Sequence, residues 1–313
     1  MPNFLDDTPP GELLAARDCL VAAGEVWPSP QPREDKYAGV VGIFAGSDTF
    51  PGAALLALKA AVKSTSPMVR YAGPVDPRLI ALALPEVVSA PRPEKAGRVQ
   101  AWVAGPGIDE DAPEALNILD WLVRQPEPLL LDASALQLVA KNTQLLRGII
   151  NRHTTGRATV LTPHAGEFAA LARALGNEEQ AEAAAVDQDF DRRRTACAWL
   201  ARQTKSVVLL KGRHTIVSDG DVAWGVDAGH SWSATPGSGD VLAGIAGAVI
   251  AAAEKAPLLH CILGAVAVHA VAALHAAETP EGFAPISASD IVESIHAVVA
   301  VALRHAHEEA DGD

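Results

Sequence analysis

The chain has 313 residues, 49% of them hydrophobic and only 4% aromatic, with a formal net charge of −13. That length fits one large α/β domain or two small ones, and a charge of this sign repels polyanions, which excludes nucleic acid as the main partner. Cys19, Cys197 and Cys261 are odd in number and far apart in sequence; they form neither a disulfide framework nor a zinc spacing, so a reduced, cytoplasmic setting is expected.

The acidic start, Met1 to Asp7, lacks the basic-then-apolar order of a signal peptide. Residues 1–36 are rich in Pro and charge and read as an N-terminal arm, with a short helix over Glu12–Gly24 and an extended stretch at Pro28, Pro30 and Pro32. Gly39–Ala45 predicts a buried strand ending in the turn Gly46-Ser47. Pro51 opens a helix to Val62, Pro being well placed in a first turn. A strand at Met68–Ala72, a helix at Pro77–Leu84 and a third strand at Val87-Val88 follow. Val99–Ala104 is a strand ending in Gly105-Pro106-Gly107, Ala112–Arg124 a helix, and Pro128–Leu131 a strand ending at Asp132. Helical turns fill Ser134–Ile150; the strand Ala158–Leu161 ends in Thr162-Pro163-His164. Phe168–Leu175 is helical, and Glu178–Gln203 reads as one long helix. The strand Val207–Leu210 ends in Lys211-Gly212, and Thr215–Val217 with Val222–Trp224 predicts a hairpin through Asp219-Gly220.

Three helices close the chain, from Val241, over Leu258–Ala277 and over Ser289–His305; residues 307–313 read as an acidic tail. Leu258–Ala277 is apolar and as long as a membrane span, but its His260, His269 and His275 and its small residues point to a core helix. Strands alternating with helices imply an α/β three-layer sandwich, a mostly parallel central sheet with helices on both faces. With no repeat and no long linker, residues 37–306 form a single expected domain.

One stretch carries the chemistry. Gly237-Ser238-Gly239-Asp240 runs directly into an apolar helix. The first amides of a helix lack intrahelical partners, and the macrodipole adds positive potential there. Small residues let the backbone approach a phosphate or a developing oxyanion closely. Asp240 beside it could take a proton from an attacking hydroxyl; the plainer reading is an Asp that caps its own helix. The other unusual residues, Gly46-Ser47, Gly105-Pro106-Gly107, Asp132, Thr162-Pro163-His164 and Lys211-Gly212, each follow a predicted strand, and open parallel sheets bind ligands beyond their strands' carboxyl ends. His164 is read as a ligand contact at such an end, His269 as a hydrogen-bonded core residue. The sequence has no GxxxxGK[ST], no dinucleotide fingerprint, no HExxH and no GxSxG, and its histidines have no zinc spacing, so no protein-ligated metal is expected.

These residues together resemble a known family. Gly237-Ser238-Gly239-Asp240-Val241-Leu242-Ala243-Gly244 is similar to the GTGD-type anion-hole motif of the ribokinase-like superfamily. Asp35-Lys36, Pro51-Gly52-Ala53-Ala54, Gly105-Pro106-Gly107, Asp132-Ala133-Ser134, Thr162-Pro163-His164-Ala165-Gly166-Glu167 and Lys211-Gly212 occur in the order found in the ADP-dependent NAD(P)H-hydrate dehydratases. The resemblance spans residues 25–305. It implies dehydration of NAD(P)H hydrate to NAD(P)H through phosphorylation of the added hydroxyl by ADP (ATP in some relatives), with Mg²⁺ on the nucleotide phosphates. It implies Asp240 as base and Gly237, Ser238 and Gly239 as anion hole. Lys211, Gly212, Arg213, His214, Thr215 and Gly239 would contact the nucleotide, and Ala53, Gly107, His164 and Asp240 the hydrate. It also implies a homotetramer working with a separate NAD(P)H-hydrate epimerase, for which the stretch before the match is too short. The chain departs from the family pattern at Lys63–Pro67 and Val226–Ser233. A small-molecule kinase of the same fold, of the hydroxyethylthiazole-kinase type, and a nucleotide-binding protein that has lost its chemistry are the alternatives.

Overall fold

Short, uninterrupted apolar runs make most of the strands, as expected where both faces of a sheet are covered. The computed structural model describes residues 8–28, 36–185, 187–253 and 256–311, with side chains as far as residue 305. In chain order the elements are β1 (Leu13–Ala15), α1 (Cys19–Val26), β2 (Val41–Phe44), α2 (Pro51–Ser64), β3 (Val69–Tyr71), α3 (Pro77–Ala83), β4 (Val88–Ser89) and, after a 3-10 turn at Pro93–Lys95, β5 (Ala101–Ala104). There follow α4 (Pro113–Val123), β6 (Leu129–Leu131), α5 (Ser134–Lys141), α6 (Thr143–Thr154), β7 (Thr159–Leu161), α7 (Ala165–Ala174), α8 (Glu178–Ala183), α9 (Phe190–Thr204) and β8 (Val207–Leu210). The last are β9 (His214–Ser218), β10 (Ala223–Asp227), α10 (Ser238–Ala252), α11 (Leu258–Ala277), β11 (Glu278–Thr279), β12 (Gly282–Phe283) and α12 (Ala288–Asp311).

Ten strands form one sheet in the order β1-β10-β9-β8-β7-β6-β5-β2-β3-β4. From β8 to β4 all neighbours are parallel, and β9 is the strand that runs the other way. Alternate residues along a strand face opposite sides. Ile43, Val103, Leu130 and Leu209 accordingly enter one core with α1, α2, α10, α11 and α12. Phe44, Trp102, Leu129, Leu131 and Leu210 enter the other, with α4, α5, α6, α7 and α9. This is the expected three-layer α/β sandwich. Small residues bring the first helix layer close: a Cβ added at Gly247 of α10 would lie 2.1 Å from Val103 Cγ2 of β5.

Several elements differ from expectation. The helix expected over Glu12–Gly24 is a strand and then a helix. Leu13 and Leu14 pair in parallel with Gly225 and Val226, and Gly225 N donates to Glu12 O at 2.9 Å; pairing with an open sheet edge outweighs local propensity. α1 then buries Cys19, Leu20, Ala22 and Ala23 in the core shared with α11 and α12. Residues 13–27 are thus part of the sheet and core instead of a separate arm, while Pro30 and Pro32 lie outside the described residues. The turns expected over Ser134–Ile150 form two helices, because the Asn142 side chain accepts from Gln144 N and Leu145 N and starts a new one. The long helix expected over Glu178–Gln203 is also two, capped by Asn177 and Asp189. The acidic tail continues the α12 backbone to Asp311. Leu258–Ala277 is long and apolar enough to cross a membrane but is 72% buried inside the fold, as the core reading expected.

Candidate active site

The chain leaves β2 for β3 and β4 on one side and returns with β5 on the other. A crevice forms outside the carboxyl ends at such a switch point, and the turns after β2 and β5 meet there. Gly46 N donates to Pro106 O at 2.7 Å. Gly105 (φ +128°) passes so near the next loop that an added Cβ would lie 1.8 Å from Asp132 O. Gly107 (φ +64°) sits against α2, its absent Cβ 2.6 Å from Ala53 Cβ. Ala53 and Gly107, expected at the hydrate, are therefore neighbours.

The turns after β6, β7 and β8 bring together a charge cluster. Lys211 Nζ lies 2.6 Å from Asp132 Oδ1 and 3.9 Å from Glu167 Oε2. The Thr162 hydroxyl donates to the same Asp132 oxygen at 2.8 Å. Burial opposes the Lys211 charge, but Asp132, Glu167 and Asp240 together outweigh it and raise its pKa. Burial pushes Glu167 up to about 7, with Lys211 pulling the other way. Asp240 is also pushed up to about 7, by burial first and the neighbouring Asp132 charge second, against the pull of Lys211. A carboxylate poised near neutrality is what general-base chemistry at pH 7 requires.

His164 opens α7 as its N-cap. Its Nδ1 accepts from Gly166 N at 2.9 Å and Glu167 N at 3.3 Å, while Glu167 Oε2 accepts from His164 N at 2.8 Å. This is a capping box with histidine in the usual Ser/Thr place. Burial and Lys211 both lower the His164 pKa, which favours the neutral ring that such acceptance needs.

Gly237 (φ +86°) turns the chain into α10, and a Cβ there would lie 2.4 Å from Leu56 Cδ1; the left-handed backbone favours glycine, and any side chain would also have to displace Leu56. Gly239 faces Lys211, the position of its missing Cβ being 3.5 Å from Nζ. Beside this turn opens a cavity of about 430 Å³, bordered by His164, Lys211, Gly212, Arg213, Thr215, Ser238 and Gly239 among others. Those seven were all expected at a ligand. His214, Gly237, Asp240, Ala53 and Gly107 do not border it; His214 turns toward Asp227, Nε2 to Oδ2 3.7 Å. His164 thus sits with the 211–215 loop, apart from Ala53 and Gly107. Val226, Ala228, His230, Ser231 and Ser233 form a wall of the cavity, so the departure at 226–233 falls on the site. The departure at 63–67 precedes β3 and lies at the opposite end of the sheet.

Three residues of the cluster were absent from the expected contacts. Asp132 belongs to the expected ligand edge and to the family-like motif, but without an assigned contact. Glu167 had a sequence signal, its place three residues after His164. Arg193 had none: from α9 its buried guanidinium donates to Lys211 O at 3.0 Å and His214 O at 3.2 Å, bracing the 211–214 loop from behind.

Residues 41–295 match the family model for NAD(P)H-hydrate dehydratase. The chain is 43% identical over 288 residues to the bifunctional NAD(P)H-hydrate repair enzyme of Corynebacterium glutamicum, covering 87% of this chain and 49% of that protein. It is 33% identical over 275 residues to the ADP-dependent (S)-NAD(P)H-hydrate dehydratase of Xanthomonas campestris, covering 82% of this chain and 87% of that one. The chain thus spans about half the length of the Corynebacterium relative. Among solved structures, the ADP/ATP-dependent NAD(P)H-hydrate dehydratase of Bacillus subtilis, co-crystallized with ATP/Mg²⁺, superposes with a TM-score of 0.70 at 24% identity, over 90% of this chain and 96% of that one. A ribokinase-like superfamily protein of Enterococcus faecalis superposes with 0.72 at 20% identity, over 96% and 98%. These two likenesses establish a ribokinase-like fold, and the sequence matches are narrower: the chain belongs to the NAD(P)H-hydrate dehydratase family.

Proposed function

We propose that this protein returns hydrated NAD(P)H to NAD(P)H in an ADP-dependent dehydration. The observation that carries the reading is the placement of a carboxyl poised at about 7, Asp240, in the first turn of α10, directly after a glycine turn that borders a cavity of ligand size. The hydrate's hydroxyl oxygen attacks the terminal phosphorus of ADP while Asp240 takes its proton. The bond from phosphorus to AMP breaks and AMP leaves, the amides of Gly237 to Asp240 meeting the charge on the transferred group. The ring carbon–oxygen bond then breaks with its electron pair on phosphate, and loss of one ring proton restores the double bond.

Lys211, Gly212, Arg213, Thr215 and Gly239 hold the nucleotide in this reading, with His214 in the same loop; Ala53 and Gly107 contact the hydrate, and His164, on the nucleotide side of the site, would meet it only from there. Mg²⁺ takes oxygen ligands, usually one or two carboxylates with substrate phosphates and water. The hard oxygens of Asp132 and Glu167 beside Lys211 fit such an ion, which would neutralise phosphate charge. Among the described residues there is no cluster of three ligating side chains, so the nucleotide would supply the rest of the shell. A cytoplasmic setting is supported by three buried, free cysteines. Exposed Leu79, Leu82 and Val88 at the β4 edge of the sheet support self-association, and the homotetramer implied by the resemblance belongs to the same proposal. Pairing with an epimerase that supplies the reactive epimer belongs to the same proposal.

The test mixes the protein with NADH hydrate, ADP and Mg²⁺ and follows the return of the dihydronicotinamide absorbance. Recovery that requires nucleotide is expected, with AMP and phosphate as products and a loss of turnover in Asp240→Asn. A stable phosphorylated alcohol as product would point to a kinase of the same fold instead. Undiminished turnover in Asp240→Asn would remove the base assignment.

A further inference from the structure

The apolar helix α11 carries a buried histidine whose ring reaches the glycine turn. His269 Nε2 lies 3.0 Å from Ser238 Oγ and 3.1 Å from the Ser238 carbonyl oxygen. A carbonyl oxygen only accepts, so the ring nitrogen facing it must carry hydrogen; a bare Nε2 would set lone pair against lone pair. Burial lowers the His269 pKa to about 4, so the ring is neutral at pH 7 and its one hydrogen is on Nε2.

This fixes the Ser238 hydroxyl. Its oxygen shares Nε2–H with the carbonyl, and a protonated Nε2 cannot accept, so its own O–H points elsewhere. Among the described residues Oγ has no other polar partner, and Ser238 and His269 are both lining residues of the cavity beside Gly239 and Lys211. The hydroxyl hydrogen is left to face that space.

We propose that the Ser238 hydroxyl is a side-chain donor to the terminal phosphate of a bound nucleoside diphosphate, adding to the backbone amides of the turn, and that His269 is the positioning residue that turns this hydroxyl toward the phosphate. The proposal rests on the ADP-dependent reading above. By residue type and setting His269 is a core histidine; the carbonyl of Ser238 assigns its tautomer and through it a function. A hydrogen bond to a charged group contributes enough that its loss should weaken binding about 10-fold.

The test is a double-variant cycle on the whole protein, with ADP affinity measured by calorimetry and kcat by the absorbance assay. Ser238→Ala and His269→Leu should each weaken ADP binding about 10-fold and lower kcat by up to about 100-fold, as loss of one oxyanion-hole donor does. Because one residue acts through the other, the double variant should bind ADP no worse than about 10-fold below wild type. His269→Gln, which keeps an N–H, should recover most of the His269→Leu loss, and it carries the test if the leucine variant does not fold. Unchanged affinity in Ser238→Ala, losses that multiply to about 100-fold in the double variant, or a glutamine variant as impaired as leucine would each overturn the proposal. A coupled cycle in ADP affinity without hydrate turnover would instead leave this proposal standing and remove the dehydratase reading.

Discussion

Asp240→Asn separates the electrostatic cost of this carboxylate from its chemical use. Burial, aided by Asp132 and opposed by Lys211, moves the carboxyl from 3.8 to about 7. That difference, about 3 pH units at about 1.4 kcal/mol each, sets a ceiling of about 4 kcal/mol on what ionising Asp240 costs the folded state. The side chain is only partly buried and water screens part of the field, so about 2 kcal/mol is the expected effect. Between about pH 4 and 7 the folded protein keeps a proton that the unfolded chain has lost, so this group's contribution to stability is full below about 4 and falls as the pH rises through 7. Asparagine has no such dependence. The variant should match wild type at pH 4 and exceed it at pH 8 by about 2 kcal/mol, a rise of about 3 °C in Tm, while losing turnover. Urea unfolding of both proteins at pH 4, 5.5, 7 and 8 reads this directly. A variant less stable than wild type at pH 8, or a gap that does not widen between pH 4 and 8, would refute the reasoning.

The same carboxyl sets a rate profile: kcat/KM for the hydrate should fall about tenfold per pH unit below about 7 and level off above it, measured under conditions that leave the nucleotide saturating. A flat profile from pH 6 to 8 would argue against Asp240 as the base. Lys211→Ala leaves Asp132, its side chain 2% exposed, with the Thr162 hydroxyl but no ammonium; a stability loss of about 3 kcal/mol is expected by denaturant unfolding, together with weaker ADP binding by calorimetry. Arg152 tests the opposite end of the sheet. Its buried guanidinium donates to Val123 O, Gln125 O, Glu127 O, Ala158 O and Thr159 Oγ1 at 2.7–2.9 Å, so Arg152→Ala should cost more than about 3 kcal/mol. Its KM values for ADP and hydrate should stay within twofold or so of wild type, because no functional turn lies there.

Layer architecture was legible because the strands are apolar runs closed by Gly, Pro or Asp, a pattern that local chemistry writes directly into sequence. The positions of Asp132, His164, Lys211 and Asp240 followed from it, since each ends a strand or starts a helix on one edge of the sheet. What was not legible depends on partners distant in sequence. β1 exists because β10 offers an open edge to Leu13 and Leu14; nothing within residues 12–24 shows that edge. Arg193 braces the 211–214 loop from a segment whose sequence predicts a helix but no contact, and only the folded chain reveals the carbonyls it meets. The split of the expected long helix was legible in part, since Asn177 and Asp189 are ordinary N-cap residues.

His269 shows why residue type underdetermines role. On α11 it lies among alanines and valines, a setting that suits a core histidine, and it is indeed buried. Its function turns on which atom it faces. Had its neighbour been a hydroxyl alone, Nε2 could have accepted and the serine would have pointed inward, away from any ligand. The carbonyl beside that hydroxyl accepts only, and this forces the reverse polarity. The cluster around Lys211 obeys the same logic. Glu167 and Asp240 are ordinary acids in sequence, yet burial, aided by the Asp132 charge and opposed by Lys211, brings both to about 7. At neutral pH such groups hold a proton part of the time, so a chain of net charge −13 can present an anionic nucleotide with a site far less negative than its formal charges suggest. In the proposed reading, the base of the reaction and the tolerance for phosphate would thus share one cause, the withdrawal of these carboxyls from water.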